Sequence, residues 1–191
     1  MLIAISGPSG SGKTTIVREM LGQFPELVFS VSATTRARRP NETEGIDYFF
    51  LSKEEFISRL QTGDLIEWEE VFGNYYGTLH SAVDARIEEG KHVLFDVDVK
   101  GALSIKRIYQ SEATLIFILP PDVETLRQRL IHRNTDSEEV IQHRLARIEL
   151  ELEASKEFHH VVLNDDLQNS VPKVAAIIRS VCRVESDVHS A

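Results

Sequence analysis

GPSGSGKT, residues 7–14, lies between the apolar run LIAIS at 2–6 and the helix-forming stretch TTIVREML at 14–21. A glycine-rich turn between a strand and a helix, in the pattern G-x-x-x-x-G-K-[ST], is a phosphate-binding loop with a physical reason for each residue type. Gly7, Gly10 and Gly12 admit turn conformations closed to other residues, so successive N–H groups can point inward at phosphate oxygens. Lys13 adds a point charge for terminal phosphates, Thr14 offers a hydroxyl to Mg²⁺, and the following helix aims its positive end at the anion. Pro8, Ser9, Ser11 and Thr15 complete the stretch that would wrap a nucleotide's phosphates. A flexible glycine turn without a ligand is the alternative, and the complete pattern in its strand-turn-helix context argues against it.

Outward from this loop, short apolar runs alternate with helical patterns, which predicts a parallel sheet wrapped by helices. The remaining runs are VFSVS (28–32), VLFDV (93–97), TLIFIL (114–119) and VVLN (161–164), each of buried-strand length. SKEEFISRL, 52–60, reads as a helix opened by a Ser52–Glu55 capping box and stopped at Gly63. A second box, Thr135 to Glu138, opens a long helix through VIQHRLARIELELEASKEF. The interval 33–92 is too long for a simple crossover and holds its own candidate strands, IDYFFL (46–51) and LIEWEEVF (65–72), which predicts an inserted lobe.

Composition limits what such a protein can be. At 191 residues, 42% hydrophobic and 27% charged, the chain is an ordinary globular protein of one domain with room for that insertion. Twenty-one Lys and Arg against 30 Asp and Glu give a formal net charge of -9, which argues against nucleic acid as a partner. The single Cys182 excludes an internal disulfide and suits a reducing compartment. LIFIL at 115–119 is far too short for a membrane span, and MLIAISGPSG lacks the features of a leader, so a cytoplasmic location is expected.

Two further stretches complete the chemistry. In VLFDVD, Asp96 and Asp98 are two apart and would share a strand face, with Asp96 the natural carboxylate for the Mg²⁺ shell and Asp98 one step further out. Strand-end carboxylates that only cap a loop are the bland alternative. In SVSATTRARRP, 30–40, three arginines crowd within four positions of an acidic chain. Arginines grip phosphate bidentately and tyrosine hydroxyls add neutral donors, so Arg36, Arg39, Tyr48 and Tyr76 could surround one phosphate. The residues alone leave open whether the terminal phosphate goes to water, as in switch and motor NTPases, or to a bound metabolite, as in small kinases; the insertion favours the second.

GPSGSGKTT, VSATTRARRP, EGIDYFF, IEWEEVFGNYYGT, DVDVKG, FILPP and VVLNDD together resemble the guanylate kinase family over nearly the whole chain. The resemblance implies an α/β P-loop nucleoside monophosphate kinase fold: a five-stranded parallel sheet core (1–32, 84–121 and 149–191), a GMP-binding lobe (33–83) and a helical lid (122–148). It implies ATP and GMP as substrates, Mg²⁺ as the cofactor accompanying ATP, and a monomer or homodimer. Carried over by position, the GMP phosphate falls to Arg36, Arg39, Tyr48 and Tyr76, and the guanine to Ser32, Glu67 and Thr78 with Asp98 nearby. A carboxylate at Glu67 can accept both guanine N1–H and the 2-amino group, whereas adenine would leave it unpaired.

The lid carry-over lands on Arg129, Arg133 and Arg144, which with Lys13 and Arg39 would stabilise charge on the transferred group. Arg129 and Arg133, four apart, share a helix face, whereas Arg147 pairs naturally with Glu151 and Arg38 has no family role. Asn164 and Asp165 fall where the family approaches the ATP base; an Asn-Asp turn ending a strand would present the same residues. Asn134, Lys100 and Ala33 depart from the family's usual residues, and none is a phosphate-gripping position. Two other functions are consistent with parts of this pattern: a related kinase acting on a ribose phosphate, and a non-catalytic interaction module.

Overall fold

Leu2–Ser6 forms strand β1, buried at all five positions. A computed structural model of the chain describes residues 1–121, 148 and 150–188. In β1 alternate side chains enter different layers: Ile3 and Ile5 pack with one set of helices, Leu2 and Ala4 with the other. The strand reads as a continuous apolar run because both faces of its sheet are covered. Its neighbours are β2 (Leu27–Phe29), β7 (His92–Asp96), β8 (Ala113–Leu119) and β9 (His160–Leu163). The order is β2-β7-β1-β8-β9, and every pair is parallel.

On one face, α1 (Lys13–Gln23) contributes Ile16, Val17 and Met20, beside Val174, Ala175 and Ile178 of the C-terminal helix, α5 (Leu167–Val188). On the other, α3 (His80–Glu88) and α4 (Val99–Tyr109) contribute Val83, Val99, Ala102 and Ile105. These spacings of three and four place each set on one helical face. Among the described residues no helix is long and apolar enough to cross a membrane.

The run at 28–32 is not one strand. Leu27–Phe29 pairs with β7, and the chain then leaves the sheet to enter a second one as β3 (Ala33–Thr34). Ser30 N–H still reaches Leu94 O at 2.9 Å, whereas Ser32 O already accepts Phe49 N–H at 2.9 Å, so the crossing occurs between them. The second sheet has the order β4-β3-β6-β5, with β4 (Phe49–Phe50), β5 (Leu65–Val71) and β6 (Asn74–Leu79). The expected strand at 46–51 is thus only two residues long, and β6 escapes the apolar-run signal because NYYGTL is half-polar and contains Gly77.

α2 (Lys53–Gln61) opens with the capping box expected for it: Glu55 N–H donates to Ser52 Oγ at 3.1 Å, and Ser52 N–H donates to the Glu55 carboxylate at 2.8 Å. Its Phe56 meets Ala33 and Leu79 in a small core that belongs to the second sheet. Of the helix expected to open at Thr135, the described part is helical over 150–154 and tightens into a 3₁₀ turn at Ser155–Glu157. Thr135, Glu138 and Asn134 lie outside the described residues.

Candidate active site

The loops after β1, β2, β7 and β9 all leave the carboxyl edge of the parallel sheet, where open α/β sheets gather their ligands. After β1, Gly7 turns at φ 143°, and a Cβ there would sit 2.4 Å from Ile118 O. Gly12 is the N-cap of α1 at φ 93° and has no side chain with which to consume the first-turn N–H donors. Lys13 Nζ bends back to donate to Gly7 O at 2.5 Å and Pro8 O at 3.0 Å, which closes the loop on itself. The helix start carries no acidic residue in its first turn, so its dipole is left positive toward the loop.

Thr14 Oγ1 donates to Asp96 Oδ2 at 3.0 Å, a contact set by β1 pairing with β7 so that Ile5 opposes Asp96. A hydroxyl and a carboxylate held together provide the hard oxygen donors that suit Mg²⁺. Asp98 does not share a strand face with Asp96, because β7 ends at Asp96. Instead Asp98 caps α4, its Oδ1 accepting from Gly101 N–H at 2.8 Å. The two carboxylates therefore serve opposite sides of a sharp corner, Asp96 toward the phosphate loop and Asp98 toward β5.

Across that corner Glu67 Oε1 accepts from Thr78 Oγ1 at 2.6 Å. β5 and β6 create the contact by pairing Glu67 with Thr78, at an irregularity between Leu65 and Glu67. Burial pushes the Glu67 carboxyl above its ordinary range, the Thr78 hydrogen bond pulls it back, and the charges of Asp98 and Glu69 push it up again. Gly101 makes room for it: a Cβ there would lie 3.3 Å from Glu67 Cγ. Ser32 is half-buried beside β3, and Lys100 is exposed at the start of α4.

The arginine-rich turn is organised by a residue that the sequence reading passed over, Glu42. Arg36 Nη2 meets Glu42 Oε1 at 2.6 Å, while Arg39 N–H donates to Glu42 Oε2 at 2.8 Å. The ion pair holds the Glu42 carboxyl below its ordinary range and raises Arg36. The Arg36 guanidinium also stacks near the Tyr48 ring, 5.5 Å from its centroid, and Tyr48 meets Tyr76 edge-on at 6.1 Å. Arg36, Tyr48 and Tyr76 therefore converge, and Arg39 joins them through its backbone with its side chain exposed. The signal for Glu42 was local: an acid three residues after Arg39, with Pro40 and Asn41 between, is turn chemistry.

The Asn164 side chain is turned into the protein. It is buried at 3% exposure, its Nδ2 donating to Ser11 O at 2.6 Å and its Oδ1 accepting from Ser170 Oγ at 2.8 Å. Its amide is thus spent inside the protein beneath the phosphate loop, whereas Asp165 beside it is exposed. Ser170 had no sequence signal, since nothing links it to residue 11 before the chain folds. Arg129, Arg133, Arg144 and Arg147 lie outside the described residues.

The guanylate kinase family profile matches residues 1–181. A guanylate kinase of Salinibacter ruber is 48% identical over 179 residues, covering 93% of this chain and 95% of that protein. One of Thermotoga maritima is 45% identical over 179 residues, covering 94% and 86%. The crystal structure of guanylate kinase from Anaplasma phagocytophilum superposes with a TM-score of 0.70 at 30% identity, covering 94% of this chain and 85% of that one. The chain belongs to the guanylate kinase family.

Proposed function

We propose that this protein transfers the terminal phosphate of ATP to GMP, giving ADP and GDP, and that dGMP is a further acceptor. The observation that carries this reading is the corner after β7. Within three residues it offers Asp96 to Thr14 of the phosphate loop and places Asp98 where its charge acts on Glu67 of the lobe. A donor site and an acceptor site built on the two arms of one corner suit direct transfer between two bound nucleotides.

The roles divide accordingly. Main-chain N–H groups of the loop 7–15 other than Pro8, with Lys13, bind the phosphates of ATP. Thr14 and Asp96 would hold Mg²⁺, which when bound neutralises charge on the phosphate oxygens. Arg36, Arg39, Tyr48 and Tyr76 orient the phosphate of GMP; Ser32, Glu67 and Thr78 read its base, with Asp98 nearby, its charge acting on Glu67. An acceptor phosphate oxygen then forms a bond to the γ-phosphorus as the bond to the β–γ bridging oxygen breaks, and that electron pair leaves with ADP. The acceptor is already a dianion near neutral pH, so no general base is needed. Arg129, Arg133 and Arg144 would approach the transferred group on closure and exclude water. A cytoplasmic location is consistent with the lone Cys182.

The test is a set of acceptors offered with Mg-ATP: GMP, dGMP, AMP, UMP and ribose phosphates. Turnover is expected with GMP and dGMP, with AMP slower by about a thousandfold, the scale on which an unpaired buried carboxylate discriminates. Turnover confined to ribose phosphates, or absent with every acceptor, would overturn the assignment.

A further inference from the structure

We infer that Ser170, at the start of the C-terminal helix, positions the phosphate loop through Asn164, and so helps to set affinity for the donor nucleotide without touching it. The inference rests on the reading of residues 7–15 as the ATP site.

Hydrogen-bond chemistry fixes the direction of the relay. Ser11 O can only accept, so the Asn164 side chain must present Nδ2 to it, at 2.6 Å. That leaves Oδ1 toward Ser170, whose hydroxyl must then donate, at 2.8 Å. Both side chains are buried, at 3% and 0% exposure, so water does not compete for either bond. The two ends are independently anchored. Asn164 N–H donates to Leu119 O at 2.7 Å, extending the β8–β9 ladder by one residue, and Ser170 N–H donates to Asp166 O at 2.9 Å in the first turn of α5. Ser170 thus ties α5 to the loop across 159 residues of sequence.

The consequence for function lies in the Ser11–Gly12 peptide. There is no cis peptide among the described residues, so the C=O of Ser11 and the N–H of Gly12 point in opposite directions across one rigid plane. Pulling Ser11 O toward Asn164 therefore turns the Gly12 N–H away from β9. The amide and Gly12 are in intimate contact, since a Cβ on Gly12 would lie 2.3 Å from Asn164 Nδ2. Asn164 thereby fixes the Ser11–Gly12 peptide, which the Ser11 hydroxyl, buried with no hydrogen-bond partner among the described residues, does not anchor, and Ser170 fixes Asn164.

Ser170→Ala, Asn164→Ala and the double variant test this by ADP titration and by KM for ATP and GMP separately. Ser170→Ala is expected to raise the ADP Kd and the KM for ATP about 3- to 10-fold, the value of one hydrogen bond. Asn164→Ala, which leaves a buried carbonyl and a buried hydroxyl unpaired, is expected to raise them about 10- to 100-fold. KM for GMP should stay within about twofold in each, and the double variant should be no worse than Asn164→Ala, because Ser170 acts only through Asn164. Additive losses, equal losses for both substrates, or an unaltered Ser170→Ala would overturn the inference. If Asn164→Ala does not fold, Ser170→Thr decides: restored ADP affinity supports the relay, and a loss equal to that of Ser170→Ala overturns it. Wild-type protein that fails to bind ADP would instead defeat the reading of the loop itself.

Discussion

In the proposed function residues 7–14 and residues 33–79 would each receive an anion, the first with main-chain N–H groups and the second with side chains. In the loop, positive-φ glycines and one peptide pinned by Asn164 leave little to adjust. In the lobe, Arg36 is held by Glu42, framed by Tyr48 and Tyr76, and each of those partners is itself a replaceable side chain. A backbone site binds the feature all nucleoside triphosphates share; a side-chain site can be tuned to one base. Damage to the loop should therefore reduce turnover with every acceptor, whereas damage to the lobe should change which acceptor is used and how well.

The largest expected effect tests the first half. Lys13→Ala should lower kcat about a thousandfold or more with GMP and dGMP alike, the scale of losing a group that stabilises transferred charge. The variant should keep the wild-type Tm within a few degrees, because the Lys13 ammonium donates to the loop carbonyls of Gly7 and Pro8 rather than to a core group. A fall confined to one acceptor would place Lys13 in the wrong site.

Arg36→Ala tests the second half. It removes the guanidinium that the two tyrosines frame and leaves Glu42 facing the acceptor phosphate unneutralised, so KM for GMP should rise about 10- to 100-fold with KM for ATP nearly unchanged. Glu42→Gln should produce a smaller rise in the same parameter. If Arg36→Ala altered kcat alone, the residue would be stabilising the transition state rather than holding the acceptor.

The difference between backbone and side-chain sites also explains what could be read from the sequence. The loop was legible because glycine spacing encodes backbone conformation directly, and the capping box of α2 was legible because its two partners are three residues apart. VFSVS misled because β-propensity cannot say which of two sheets a residue joins; the crossing at Val31 depends on strands β4 and β6 far along the chain. Asp98 misled because a two-residue period applies only while the strand continues, and capping ended it. Asn164 shows the same limit at the site: its position was visible, but the direction of its amide is decided by Ser11 and Ser170, 153 residues before it and 6 after.

Glu67→Gln sharpens the comparison through a trade-off. The folded Glu67 carboxyl lies above its ordinary range, so its protonated form is favoured by folding. That contribution is fully present below the unfolded pKa and is lost as pH rises through the folded one. At neutral pH the ionised group is therefore a cost, and Glu67→Gln should raise Tm by a few degrees. The gain should shrink as pH falls toward the ordinary carboxylate range, where wild-type Glu67 is itself protonated. Selectivity should move the other way: KM for GMP should rise about tenfold or more as guanine loses its carboxylate partner. A variant that lost stability at pH 7 yet kept full preference for GMP over AMP would defeat the base-reading role.

The smallest effect is expected where charge alone would predict a large one. Arg38 sits between Arg36 and Arg39 in sequence and carries the same charge, but it is exposed, and among the described residues none of the hydrogen bonds or ion pairs that organise the turn involves it. If the lobe works by aimed groups, Arg38→Ala should leave KM for GMP within about twofold, as surface substitutions away from such contacts usually do. If it works as a diffuse positive field, Arg38 should matter almost as much as Arg36, and its loss should be felt mainly at low ionic strength, where screening is weak. Measuring KM for GMP for both variants at about 0.01 M and about 0.15 M salt separates these mechanisms, because the Debye length falls from about 30 Å to about 8 Å between them. An Arg36→Ala defect that persists at the higher salt, beside an Arg38→Ala variant indifferent to both, would assign the acceptor phosphate to geometry rather than to field.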